Sequence, residues 1–151
     1  HRRLGQYHKA IDVLERAYSI SPKNQFIISN LASAYRSTKK YKKAETLLNK
    51  SLNIYPNNSE ILVILAQCYN KQNKPEKGEE IIRKQLFIKP NHVPSLIILT
   101  ESLLIQSRFI DAEVFLNQAE LHDKDHKHKV TIRKLRRVIE NNYSKKLIVD
   151  S

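Results

Sequence analysis

Glycine is nearly absent from this 151-residue chain: there are two, with five prolines, one cysteine and no methionine. Each scarcity excludes something. A β-sandwich or a glycine-cradled nucleotide fold of this length needs more turn punctuation than that. Long helices joined by short loops do not. A single cysteine excludes an intramolecular disulfide and fits a reducing compartment, so a cytoplasmic location is expected. No apolar run approaches the ~18 residues of a membrane-spanning helix, and no secretory signal is visible. The chain opens on His1 and carries no methionine anywhere, so it is expected to be a piece of a longer protein.

What is present is a folded balance: 40% hydrophobic and 28% charged residues, unlike the low hydrophobicity of a disordered chain. Lysine and arginine number 27 against 15 acids, a net charge of +12, so acidic partners have to be considered.

Self-similarity decides the architecture. Pro22, Pro56 and Pro90 stand 34 residues apart, in the phrases Ile-Ser-Pro, Ile-Tyr-Pro and Ile-Lys-Pro. The same step joins Ala10, Ala44, Gly78 and Ala112, and also Leu14, Leu48, Ile82 and Leu116. In the other half of the unit it joins Leu31, Leu65 and Leu99, then Tyr35, Tyr69 and Leu103. Each unit holds two stretches of helical spacing, such as Ile28, Leu31, Ala32 and Tyr35, then Tyr41, Ala44, Leu48 and Leu52. Only the short polar Ser37-Thr38-Lys39-Lys40 separates them, which predicts an antiparallel helix pair. The small residue at Ala44 and its equivalents lets two backbones cross closely. The proline closes each second helix, and the asparagine after it is placed to cap the next. Pro75 instead suits a first helical turn.

At these residues the chain resembles a tetratricopeptide repeat array. The family pattern is met by Leu31-Ala32, Tyr35, Tyr41, Ala44, Leu48, Ser51 and Pro56, with Ile28, Leu62 and Leu96 at the family's tryptophan site. The resemblance implies an all-α fold, a right-handed α-α superhelix of about 3.5 repeats plus a C-terminal capping helix. The array is expected over residues 1–126, as a partial unit 1–24 and full units 25–58, 59–92 and 93–126. A capping helix over 127–142, with Val130, Leu135, Val138 and Ile139 on its apolar side, and a tail over 143–151 complete the chain.

No chemistry follows from such a fold, so function must come from the residues on the concave face. The family's groove sites map onto Asn30, Ser33 and Arg36 in the second unit and Ile64, Gln67, Asn70 and Lys71 in the third. The fourth unit contributes Ile97, Ile98, Glu101, Leu104 and Ile105. The groove thus runs from small and polar to apolar. Because Leu96, Leu99, Thr100 and Leu103 already supply the stripe within the fourth unit, the second apolar face is expected to anchor a peptide or to be buried by a neighbour. The amides of Asn30, Gln67 and Asn70 offer donors and acceptors for a peptide backbone. The carboxylate clamp by which some members of the family hold chaperone tails is not matched, since Ser29, Ser33, Glu60 and Ile64 occupy its sites.

The fragment is expected to be non-catalytic: it has no glycine-rich phosphate loop and no paired carboxylates in an apolar cleft. Cys68 reads as a core thiol without a base in register. His122, His126 and His128 with Asp123 and Asp125 carry metal-ligand chemistry but sit where a helix ends, and read as a solvated linker. No metal or cofactor is expected. The partner is expected to be a protein or peptide, bound by a scaffold. Two alternatives are an accessory module that positions substrate for a larger enzyme such as a transferase, and an anion-binding module. The second rests on Lys124–Lys146, where nine basic and two acidic residues give +7 and favour RNA or acidic lipid, though no reading motif accompanies them.

Overall fold

The computed structural model describes the backbone of residues 2–150 and the side chains of residues 3–145. Eight α-helices follow one another with no strand among the described residues: α1 (Arg2–Ile20), α2 (Gln25–Ser37), α3 (Tyr41–Leu52), α4 (Ser59–Lys71), α5 (Pro75–Ile88), α6 (Val93–Ile105), α7 (Phe109–His122) and α8 (Lys129–Asp150). Helices α2, α4 and α6 start 34 residues apart, and so do α3, α5 and α7. Each helix packs on the next in sequence. In addition the backbones of α2 and α4, and of α4 and α6, come close, whereas those of α1, α3, α5 and α7 stay further apart and meet only through long side chains such as Arg83 over the Phe115 ring. The row that makes closer contacts lies on the inside of a curved stack. The concave face is therefore built from α2, α4 and α6.

Local chemistry places each boundary. Asn24 and Asn58 accept the Ile27 and Ile61 amides and cap α2 and α4. The turns inside the three complete units pass through Lys39, Asn73 and Ser107, all at φ near +60°. There the chain reverses with paired backbone bonds, Lys40 N–H to the Tyr35 carbonyl and Lys39 N–H to that of Arg36, and the same pairs recur in both later units. Gly5 lies 34 residues before Lys39 but sits within α1, whose helix runs through it.

Each pair crosses at a small residue. Ala44 and Ala112 are fully buried. Gly78 takes that place in the third unit for a visible reason: a Cβ there would collide with the Asn70 carboxamide oxygen and lie 3.2 Å from the Ala66 carbonyl. Asn70 is buried, accepts Ser102 Oγ at 2.8 Å, and donates to the Ile98 carbonyl at 3.3 Å. It ties α4 to α6 in the space that a methyl group occupies elsewhere.

A second device repeats between units. The buried Glu45 of α3 accepts from Gln72 and pairs with Lys74 of the following turn. One unit later Glu79 accepts from Gln106 and from Arg108 at 2.9 Å. Burial works against both charges, but the amide donors and the neighbouring cations outweigh it and hold both carboxyls below their ordinary value of 4.5.

The terminal helix caps the stack against α7 and α6. Ile132 and Ile139 are buried, with Leu135 and Tyr143 packed beside them. Val130 and Val138, assigned from the sequence to the apolar side, are instead exposed. The phase is rotated because Ile132 and Ile139, seven residues apart, take the seam. The helix also runs on past residue 142 to Asp150, through most of the segment read as a tail; Ser151 lies outside the described residues. Among those residues no helix is long and apolar enough to cross a membrane.

Two outcomes are expected. Gly78→Ala costs about 1–3 kcal/mol by overpacking, although alanine is worth ~1 kcal/mol more than glycine in a helix. In an Asn70→Ala background the same change becomes stabilising; urea unfolding of the four proteins measures the coupling, and additive effects would refute the pairing. The clamp predicts an acid dependence of fixed sign. A carboxyl with a lowered folded pKa stabilises above its unfolded pKa, and that contribution is lost as pH falls through the folded one. Glu45→Gln and Glu79→Gln therefore lower Tm at neutral pH, and the deficit relative to wild type shrinks as thermal melts are taken toward about pH 3.

Candidate functional site

The concave surface of α2 and α4, closed at one side by the start of α6, forms a groove of about 390 Å³. Asn30, Ser33 and Arg36 line it from α2, and Glu60, Val63 and Ile64 from α4. The sequence spacing puts these residues one helical turn apart on the side facing away from the buried Leu31, Ala32 and Tyr35. An adjoining recess, lined by Gln25, Asn58 and Glu60 among others, extends it along the helix starts. Arg36 is held in place: its Nη1 donates to Gln67 Oε1 on α4. The guanidinium thus keeps donors free for a ligand while its plane is fixed.

One residue at the mouth was missed in the sequence. His92 reaches the groove from the α5–α6 connection, beside Pro94 in the first turn of α6. Burial, then the nearby Lys89 and His128, lowers the His92 pKa, and its Nδ1 lies 2.6 Å from Ser95 Oγ. His92 stands in the capping column of Asn24 and Asn58, but its ring makes no cap bond. That break in a regular column was the available signal.

The other expected site residues divide by burial. Asn70 belongs to the α4–α6 tie described above and does not face a peptide. Ile97 and Ile98 are only 6% and 2% exposed, and Ile64, though it borders the groove, is 5% exposed. The expectation that Ile97 and Ile98 anchor a partner is therefore corrected: they are core. The cause is that α6 is covered on several sides, by α4 and α5, by α7 and by α8. Lys71 and Ile105 remain exposed and Leu104 half-buried, further along α4 and α6. Glu101 is half-buried with no hydrogen-bond or ion-pair partner among the described residues. Burial raises its pKa, and the charge of Lys71 pulls the other way.

The remaining reactive groups are occupied. Cys68 is fully buried, and burial pushes its thiol up to about 11, with Arg36 opposing and Glu45 adding. It is too weakly ionised at neutral pH to act as a nucleophile. Asp123 is buried and accepts the His128 backbone amide at 3.0 Å, so the histidine-rich connection is a helix-start device. Arg136 of the basic helix pairs with Glu120 at 3.5 Å.

The family model described as anaphase-promoting complex, cyclosome, subunit 3 matches residues 3–85 and again residues 37–119. The two matches are displaced by one 34-residue unit, so what is recognised is the repeat itself. Among solved structures, the thermophilic TPR protein TTC0263 of Thermus thermophilus superposes with a TM-score of 0.78 at 16% identity, over 97% of this chain and 84% of that one. MamA, from residue 41 to its end, of Desulfovibrio magneticus RS-1 gives 0.74 at 17%, over 83% and 71%. The TPR domain of Sgt2 from Aspergillus fumigatus gives 0.68 at 19%, over 78% and 80%. At these identities the likeness is one of fold. No curated protein matches the chain in sequence.

Burial separates the apolar residues of α6 experimentally. Ile98→Asp is expected to cost more than about 3 kcal/mol, since it buries an unpaired charge, while Ile105→Asp changes stability by less than about 0.5 kcal/mol. Chemical denaturation of both variants decides it; equal effects would contradict the assignment of Ile98 to the core.

Proposed function

The chain belongs to the tetratricopeptide repeat family described as anaphase-promoting complex, cyclosome, subunit 3, a family of helical interaction modules, and on that premise we propose that its concave groove binds an extended segment of a partner protein. The observation that carries this reading is the pre-set Arg36–Gln67 pair within a groove of mixed polarity. A peptide backbone presents carbonyls and amides at regular intervals. Asn30, Ser33 and Arg36 offer donors for those carbonyls, and Asn30 and Glu60 offer acceptors for those amides. Val63 and Ile64 give the floor an apolar component that side chains of the segment cover.

The anchor lies at the α2–α4 end of the groove, not at Ile97 and Ile98. At the other end Glu101 forms a secondary subsite with Lys71, Leu104 and Ile105, where a cationic side chain would find an unpartnered carboxylate. The role is that of a scaffold or adaptor, in a cytoplasmic setting, and no catalytic step is part of it. Membership in the family does not assign the chain to any particular assembly, because the match reports the repeat.

Filling or reversing the groove tests this. Ser33→Trp and Arg36→Glu are each expected to lower recovery of bound proteins from lysate about tenfold, equivalent to ~1.4 kcal/mol, with Tm shifted by no more than a few degrees. Lys127→Glu, on the turn before α8, leaves recovery unchanged. Wild-type recovery by both groove variants, scored by quantitative mass spectrometry, would remove the proposal.

A further inference from the structure

The opposite side of α2 holds a second recess, between α1 and α3. Its volume is about 460 Å³. The floor is apolar: Leu31 and Tyr35 of α2, Leu47 of α3 and Tyr18 of α1. Lys42, Lys43 and Lys50 stand along its α3 edge. Lys42 and Lys50 are eight residues apart, two turns and about 12 Å along the helix.

The repeat supplies an internal control. The 34-residue step carries the edge residues Lys42, Lys43, Thr46 and Lys50 onto Glu76, Lys77, Glu80 and Lys84 of the next unit. It carries them again onto Ile110, Asp111, Val114 and Gln118. The same place between successive outer helices thus carries three lysines and no acid once, two acids against two lysines once, and one acid with no lysine once. A fold requirement would have imposed one chemistry on all three.

Little within the protein neutralises the first edge. Lys42 lies 3.6 Å from Glu45, but Glu45 is already held by Lys74 and Gln72. Lys43 sits over the Tyr35 ring, 5.9 Å from its centre. Among the described residues neither Lys43 nor Lys50 has an ion-pair partner. The one acid lining the recess, Glu15, accepts the Tyr35 hydroxyl at 2.6 Å.

We propose that this cleft between α1 and α3 is a second docking site, for an acidic amphipathic helix of a partner protein. An apolar side chain of that helix enters the floor between Tyr18 and Leu47, and carboxylates two turns apart meet Lys42 with Lys43 and, separately, Lys50. The net charge of +12 steers such a segment toward the protein. Shape and chemistry select this occupant over other anions. A lipid surface is read by protruding groups, and this is a recess. A single nucleic-acid strand stacks successive bases on a row of aromatic faces, and here the Tyr35 face is covered by Lys43, which leaves Tyr18 alone. The site is on the other side of α2 from the concave groove and stands independently of the function proposed there.

Peptide display decides it, with two libraries of about 16-residue helices, one biased to Asp, Glu, Leu and Phe, the other to Lys, Arg, Leu and Phe. Both are panned against the whole chain and against two variants whose folding is checked by circular dichroism: Lys42→Glu/Lys43→Glu/Lys50→Glu, and Thr46→Trp, which closes the mouth without changing charge. The acidic library is expected to enrich on wild type, and the selected peptides to bind each variant about tenfold or more weakly. Ser33→Trp, in the concave groove, is expected to bind them as wild type does. The proposal is overturned if the basic library alone enriches, if either cleft variant binds the selected peptides as tightly as wild type, or if Ser33→Trp abolishes their binding. It is equally overturned if no acidic peptide is selected while poly(U) RNA or phosphatidylserine vesicles bind wild type and lose binding in the triple variant.

Discussion

Everything in this molecule depends on two helices crossing closely enough to share one row of side chains. Ala44 and Ala112 permit that approach by being small, and at Gly78 even a methyl group has been given up. A pair that crosses tightly buries Leu31 and Leu48, or Leu65 and Ile82, in the core and leaves a second apolar edge that only another pair can cover. Stacking is therefore obligatory, and stability accumulates between neighbours instead of around one centre. The Glu45 and Glu79 clamps act at these joints. They reach the turn of the following unit, where backbone reversal already holds Lys74 and Arg108 in fixed positions.

Much of this was legible in the sequence because the same constraint is written several times. A single small residue on a helix means little, whereas Ala10, Ala44, Gly78 and Ala112 in one column state a crossing. What stayed hidden was everything decided by departures from the column. Asn70 reads as a groove amide by register, yet a missing methyl eight residues later opens a space for it in the core. Gly78 was in view as a substitution within the alanine column, but its partner is on another helix and cannot be paired from spacing alone. Ile97 and Ile98 failed for a related reason. Register says which side of α6 they occupy; it does not choose between a bound peptide and a covering neighbour, and the cover given by α4, α5, α7 and α8 makes that choice.

The terminal helix shows the same limit from another angle. Once the repeat pattern stops, phase has to be read from one segment: Leu135 and Ile139 do face the stack, but the spacing admits Val130 and Val138 to the stripe where Ile132 belongs. The longer branched side chains won the seam, being worth more per contact when buried. As a result the outward side of α8 is cationic with isolated valines, a solvated surface for which the sequence offers no reading motif. Charge there is diffuse, and Arg136 is partly answered by Glu120.

Concentration of charge matters more than its amount. Among the described residues, the basic side chains of α8 other than Arg136 face open solvent, where a Coulombic contact is screened within about 10 Å at ordinary salt. The three lysines along α3 border a recess with an apolar floor, where a ligand displaces water and each contact is less screened. The groove on the other side of α2 follows the same logic with the opposite economy of charge: one guanidinium, oriented by an amide, among hydroxyls and apolar side chains. Helix α2 thus carries Leu31 and Tyr35 toward one recess and Asn30, Ser33 and Arg36 toward the other. A repeat whose helices are packed by only a few positions leaves the rest free to vary, and in this chain the residues so freed give the two recesses beside α2 different chemistry.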